Sequence, residues 1–302
     1  MTQGPEDFTS RRYQVRHRTT YTYEGSVETC YERGFLAPRG TPTQIVVSNQ
    51  VDVSPTPDLM TEHVDHFGNH SFYLEVRTPH SELSVTKTSV VDVSWPAPDL
   101  AYLNRWTVQG AAEQIAGSGD PVERADFGLP STLVRLSPEV SAYAGTLLGS
   151  DMGFGDAIQT LTHGIFTGFK YEPGATNVNT TLTDLLALRA GVCQDFTHLA
   201  VGVLRSLGLP ARYVSGYLET SPPPGKAKLE GSDASHAWAS MMVPDGTWID
   251  FDPTNDHFCD SRYVVTAWGR DFRDVSPLKG VIFADAASSS LSVAVDVTRV
   301  EG

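Results

Sequence analysis

The chain has 302 residues, a formal net charge of −14 and an apolar share of 40%. That length allows one large domain or two ordinary ones. The acidity, with no basic stripe, excludes nucleic acid as a partner and favours neutral or cationic substrates. No apolar run approaches the roughly 20 residues needed to cross a membrane.

The N-terminus, Met1-Thr-Gln-Gly-Pro-Glu-Asp-Phe8, is polar and acidic, without the basic and apolar regions of a signal peptide. Cys30, Cys193 and Cys259 are odd in number and far apart, which fits a reducing compartment better than a disulfide framework. A cytoplasmic location is expected. There is no Cys-x-x-Cys pair. Neither His63, His66 and His70 nor His257 with Cys259 makes a full ligand set, so neither metal nor cofactor is expected.

In chain order, residues 1–12 read as a flexible tail. From Tyr13, the residues Tyr13, Val15, His17, Thr19, Tyr21 and Tyr23 alternate with polar neighbours along one strand. Further strands are expected over 44–53, 71–76 and 83–95, with a turn at Asp65-His-Phe-Gly-Asn69. Short strands between Pro- and Gly-rich turns predict an antiparallel β-sandwich-like domain. Here His17, Arg33, Arg39 and Asp65 read as surface or turn residues. Residues 96–136 form a connecting segment with some helix, so the first unit spans 13–136 and the second 137–302.

Ser137-Pro138 is an N-cap with proline at the first helical position. Helices follow at about 154–166 and after Thr181-Leu-Thr-Asp184, a capping-box-like start. Phe196, Leu199, Ala200, Val203, Leu204 and Leu207 then recur at helical spacing until Gly208 and Pro210 stop the pattern. Cys193 therefore sits at or just before a helix N-terminus, where unpaired N–H groups and the dipole favour a thiolate. Alone, it reads equally as a small buried residue. Strands are expected over 211–218, 236–243, 247–251, 263–268 and 291–297. The polar, Pro-rich run from Ser221 to Ser235 reads as a mobile lip.

Pro244-Asp245-Gly246 signals a hairpin between two of these strands. His236, Trp238, Ser240 and Met242 share one face, as do Trp248, Asp250 and Asp252 on the partner. A short turn sets His236 beside Asp252 or one pair away. A cysteine nucleophile needs an imidazole to take its proton and a carboxylate to orient that imidazole. Cys193, His236 and Asp252 are the candidates, and the Cys193 N–H could serve an oxyanion.

These segments resemble the bacterial transglutaminase-like family. The likeness runs through Phe169-Lys-Tyr171, Gly191-Val-Cys-Gln-Asp-Phe196, Gly208-Leu-Pro-Ala-Arg-Tyr-Val-Ser-Gly-Tyr217, Ala234-Ser-His-Ala-Trp238 and Phe251-Asp-Pro-Thr-Asn255. It extends to Tyr13-Gln-Val-Arg-His17 and Asp65-His-Phe-Gly-Asn69 in the first half, and to Gly269-Arg-Asp-Phe272 and Pro277-Leu-Lys-Gly280 near the end. The resemblance implies an α+β chain: the family's N-terminal β domain, then a papain-like core in which the cysteine's helix packs on an antiparallel sheet. It implies Cys193 as nucleophile, His236 as base and Asp252, rather than Asp250, as orienting acid.

Gln194, Tyr171, Asn177 or Asn179 could donate to an oxyanion. Trp238 and Trp248 could wall the substrate groove or fill the core. Asp195 reads as a helix cap, and Arg270 with Asp271 as a loop-tying pair. The expected activity is acyl transfer from an amide or peptide bond through a Cys193 thioester, as a protease or amidase. Alternatives are a protein-glutamine transglutaminase, a coenzyme A-dependent acetyl-transfer enzyme, for which no phosphate cradle is found, and a non-catalytic peptide-binding module. The expected partner is a peptide or protein amide; neither substrate identity nor oligomeric state follows.

Overall fold

A computed structural model describes residues 3–220, 231, 235–284 and 288–301. The expected Ser221–Ser235 lip, apart from Gly231 and Ser235, lies outside the described residues.

One long strand, β1 (Arg11–Gly34), organises the first half. Tyr13, Val15, His17 and Thr19 are buried while Gln14, Arg16 and Arg18 are exposed, as a half-buried strand requires. The strand runs beyond Tyr23 because an irregularity in its pairing, between Thr22 and Val27, bends it and lets it continue. After β2 (Gln44–Ser54) and β3 (Leu59–Val64), β4 (His70–Val76) pairs the second half of β1, and β5 (His80–Val93) pairs the first. β2 lies outside β5, and β3 outside β4.

The connecting segment holds α1 (Leu100–Leu103), α2 (Val108–Ala116) and α3 (Pro121–Gly128), N-capped by the side chains of Asp99, Thr107 and Asp120. Then come α4 (Pro138–Leu147), capped by Ser137, α5 (Phe154–Gly168), β6 (Lys170–Tyr171), α6 (Leu182–Leu188), capped by Thr181, β7 (Ala190–Gly191) and α7 (Cys193–Ser206). β8 (Ala211–Leu218), β9 (Ser235–Met242), β10 (Trp248–Asp252), β11 (His257–Phe258) and β12 (Tyr263–Gly269) form an antiparallel sheet in the order β11-β10-β9-β8-β12. The apolar stripe of α7, including Leu199, Ala200, Val203 and Leu204, is buried with Ala211, Ala239 and Met241 of this sheet. Arg205, in the last turn of α7, is buried and donates to the carbonyls of Phe127, Leu129, Ala211 and Arg270. No helix among the described residues is long and apolar enough to cross a membrane.

After α8 (Phe272–Val275) the chain returns to its beginning. β13 (Leu278–Ala284) and β14 (Ser289–Arg299) run antiparallel along the free edge of β1, completing a seven-stranded sheet. Residues 278–299 thus join the first sheet rather than the 137–302 unit expected from the sequence. Tyr13, Val15, Val91, Val93, Val295 and Val297 of this sheet close on Tyr217 of β8 and Val264 of β12.

That junction corrects three expectations. His17 is buried, with its Nδ1 3.1 Å from the Tyr217 hydroxyl, and burial lowers its pKa to about 4. Arg39 is also buried; its guanidinium stacks 3.4 Å from the centre of the Trp268 ring and donates to Asn69 Oδ1. The tail is held from residue 3: Gln3 Nε2 donates to Asp260 Oδ2 at 2.7 Å, and the Ser261 N–H donates to the Asp7 carbonyl at 2.9 Å. Asp65 does cap its turn, accepting the Phe67 and Asn69 amides. Asn69 in turn bonds both the N–H and the carbonyl of Trp268, docking that turn on β12.

Candidate active site

Cys193 is the first residue of α7. The approach to it is tight: Arg189 ends α6 with φ 56°, and a Cβ on Gly191 would lie 2.8 Å from Asp195 Oδ2. Asp195 Oδ2 accepts the Val192 N–H at 2.8 Å and the Thr176 hydroxyl at 2.6 Å. Asp195 thus ties down the start of the helix, the capping role read from the sequence. The Cys193 side chain is half-buried against a cluster of Phe35, Tyr213, Ala237, Ala267, Val275 and Phe272.

The β9–β10 hairpin supplies the imidazole and carboxylate. Asp250 lies opposite Ser240, and Phe251 opposite Ala239. That register sets His236 one pair away from Asp252 on the same face. His236 Nε2 donates to Asp252 Oδ2 at 2.6 Å. This leaves Nδ1 without a carboxylate partner, and the nearby Cys193 sulfur favours the protonated imidazole.

Asp252 is completely buried and fully partnered. The Tyr263 hydroxyl and Asn255 Nδ2 each donate to Oδ2 at 2.6 Å, and the Thr254 N–H donates to Oδ1 at 2.7 Å. Burial opposes its charge, but His236 and these donors hold its pKa well below the usual carboxylate range. Burial likewise opposes the imidazolium, and Asp252 and Cys193 outweigh it, raising the His236 pKa to about 10.

The two shifts act on stability with opposite signs. His236, raised from 6.5 to about 10, contributes fully below pH 6.5 and loses its contribution as pH rises through about 10. Asp252, lowered from 3.8, contributes above pH 3.8 and loses its contribution as pH falls through its folded value. The pair therefore stabilises the fold most between these ordinary values. We expect the thermal midpoint of the wild type to exceed that of His236→Gln most near pH 5–6, and the gap to shrink by several degrees toward pH 10. Parallel curves across that range would contradict the ion pair.

Comparison with known proteins fits this geometry. The profile of the bacterial transglutaminase-like N-terminal region matches residues 13–92, and that of the transglutaminase-like superfamily matches residues 142–253. The chain belongs to the bacterial transglutaminase-like family. An uncharacterised Mycobacterium tuberculosis protein is 40% identical over 298 residues, covering 97% of this chain and 94% of that one. The protein-glutamine gamma-glutamyltransferase of Pseudomonas aeruginosa is 32% identical over 189 residues, 61% of this chain and 25% of that protein. The fold matches that of a Cytophaga hutchinsonii protein named as a candidate cysteine protease, with a TM-score of 0.74 and 21% identity over 95% of this chain and 91% of the other.

The remaining residues of this transglutaminase-like site divide sharply. Gln194 is only partly buried, next to the cysteine. Tyr171 is 54% exposed; burial first, then the nearby Cys193 sulfur, raises its phenol pKa. Asn177 lies in an exposed turn, where its Oδ1 accepts the Asn179 N–H at 2.9 Å.

Trp238 is fully buried and walls no groove. It donates to Asp250 Oδ2 at 2.8 Å, and its ring fits because Gly216 lies against it: a Cβ there would approach the ring to 2.5 Å. Trp248 is partly buried against the edge of the core, where it packs on Phe127 and lies 4.2 Å from the Arg212 guanidinium. Arg270 pairs with Asp274 at 2.9 Å, while Asp271 accepts the Leu133 and Arg273 amides. Among the described residues, no group of three or more His, Cys, Asp or Glu side chains is gathered as a metal site.

Two members of the hydrogen-bonded set were not singled out from the sequence. Asn255 closes the quoted Phe251-Asp-Pro-Thr-Asn255 motif, which was signal enough. Tyr263 opens β12, and nothing local marks it as the donor to Asp252.

Proposed function

We propose that the protein is a thiol acyl-transfer enzyme that cleaves an amide or peptide bond through a Cys193 thioester, with hydrolysis as the usual outcome. The observation that carries this reading is the 2.6 Å bond from the His236 imidazole to the buried Asp252 carboxylate, with the Cys193 sulfur near enough to favour the imidazolium. In the first step the Cys193 thiol gives its proton to His236 and its sulfur attacks the carbonyl carbon, and the oxyanion that forms is met by the Cys193 N–H at the start of α7. Gln194 and Tyr171 are the side chains suited to help. The C–N bond breaks as His236 passes its proton to the departing amine, leaving the acyl group on sulfur. Water attacks the thioester, His236 takes its proton, and the acid and thiol are released. Asp252 supports the imidazolium throughout without being protonated. The three free cysteines suit a reducing compartment, and we place the protein in the cytoplasm.

Amine transfer is the second reading, favoured by the likeness to the Pseudomonas aeruginosa protein-glutamine gamma-glutamyltransferase. It needs only that a second amine, rather than water, reach the thioester. Incubating the protein with glutamine-containing and peptide-amide substrates, with and without a primary amine, separates the two by product mass. Acid product in both arms supports hydrolysis; amide product whenever amine is present supports transfer. No product in either arm, together with Cys193 alkylation that does not depend on His236, favours a binding module.

A further inference from the structure

In a chain of net charge −14, three cations gather on the surface over the cluster against which Cys193 packs. Phe35, which follows β1, and Phe272 of α8 both belong to the cluster on which Cys193 packs. The Arg33 guanidinium lies 4.8 Å from the centre of the Phe35 ring. Arg33 stands directly opposite Lys279 in the β1–β13 register, so both side chains leave the same face of the sheet. Lys279 Nζ donates to the Arg273 carbonyl at 2.8 Å, and Arg273 follows Phe272.

Like charges placed opposite on neighbouring strands destabilise the sheet, and here neither is neutralised. Arg33, Arg273 and Lys279 are exposed, and among the described residues none has a carboxylate within ion-pair distance. Burial, then Arg33, acts to lower the Lys279 pKa; Asp274 and Asp271 act on it more weakly. Those two carboxylates are already engaged, Asp274 by Arg270 and Asp271 by two backbone amides. Further along the same face, Val281 and Phe283 are 59% and 58% exposed, and Tyr31 stands edge-on to Phe283. A cation cluster leading into an exposed apolar strip suits a peptide that carries both carboxylates and apolar side chains.

We propose that Arg33, Lys279 and Arg273 select the acyl donor by binding a carboxylate-bearing peptide segment next to the amide that Cys193 attacks, with apolar residues of that segment lying on Val281 and Phe283. This rests on the reading of Cys193 as nucleophile. It reverses, locally, the preference for neutral or cationic partners that the whole-chain charge suggests. The acidic remainder of the surface repels such a peptide everywhere else and so helps to direct it to this patch.

Binding to the Cys193→Ala chain tests the proposal without requiring turnover. The probes are two fluorescein-labelled peptides with a central glutamine, one flanked by Glu and Leu, the other by Gln and Leu. At low ionic strength the acidic peptide is expected to bind about tenfold more tightly, and salt to erase the difference. Arg33→Gln combined with Lys279→Gln should abolish the preference, and Arg33→Lys should retain most of it. Arg135→Gln, which removes a charge from an exposed position in the connecting segment, should leave it intact. Equal binding of the two peptides, a preference that survives the double substitution, or one lost equally in Arg135→Gln overturns the proposal. A full acidic preference in binding, combined with no Cys193-dependent product from the wild type, supports the cluster and instead overturns the acyl-transfer reading.

Discussion

A Cys193→Ala chain is expected to fold like the wild type and to lose turnover by on the order of 10⁵-fold or more. The side chain is half-buried at the very start of α7, so removing one sulfur opens little space. The capping bonds made by Asp195 involve Val192 and Thr176, not the thiol, and survive the change. Thermal unfolding should move by no more than about 1 kcal/mol in stability. Mass spectrometry of the quenched wild-type reaction should show an acyl adduct on Cys193 that the variant lacks. A variant that still turns over would end the covalent mechanism.

The second large effect separates two carboxylates on one strand. Asp252→Asn should lower the rate by on the order of 10³- to 10⁴-fold, because an amide can neither support the imidazolium nor hold the imidazole in the working tautomer. Asp250→Asn should leave the chemistry within about tenfold and act on stability instead, costing about 3 kcal/mol. Asp250 accepts bonds from Trp238 and Ser240 and provides the charge that favours the buried Arg212 guanidinium. Steady-state rates read beside denaturant unfolding give both numbers for each variant. Equal rate losses would mean that the wrong carboxylate has been assigned to the imidazole.

The parts of this site that were legible in the sequence are those with a local cause. The apolar period from Phe196 to Leu207, stopped by Gly208 and Pro210, marks α7 and puts Cys193 at its start. The turn at Pro244-Asp245-Gly246 sets the register of β9 and β10, and from the register follows the meeting of His236 and Asp252. What was not legible depends on residues far apart in the chain. His17 looks like a polar interruption of an alternating strand until Tyr217, 200 positions away, supplies its partner. Trp238 reads equally as groove or core, and Gly216 on the neighbouring strand decides for core. β13 was missed because its exposed Val281 and Phe283 and its internal Gly280 give no amphipathic rhythm. It is a strand because β1 offers it an edge.

That edge has a consequence for the order of folding events. Val295 and Val297 of β14 cover Tyr217 and Val264. The second sheet is therefore sealed only when a strand from far along the chain has docked on it, so the two halves fold together. A chain cut before Ser289 is expected to bare Tyr217 and Val264 and to be digested faster by an added protease than the intact chain.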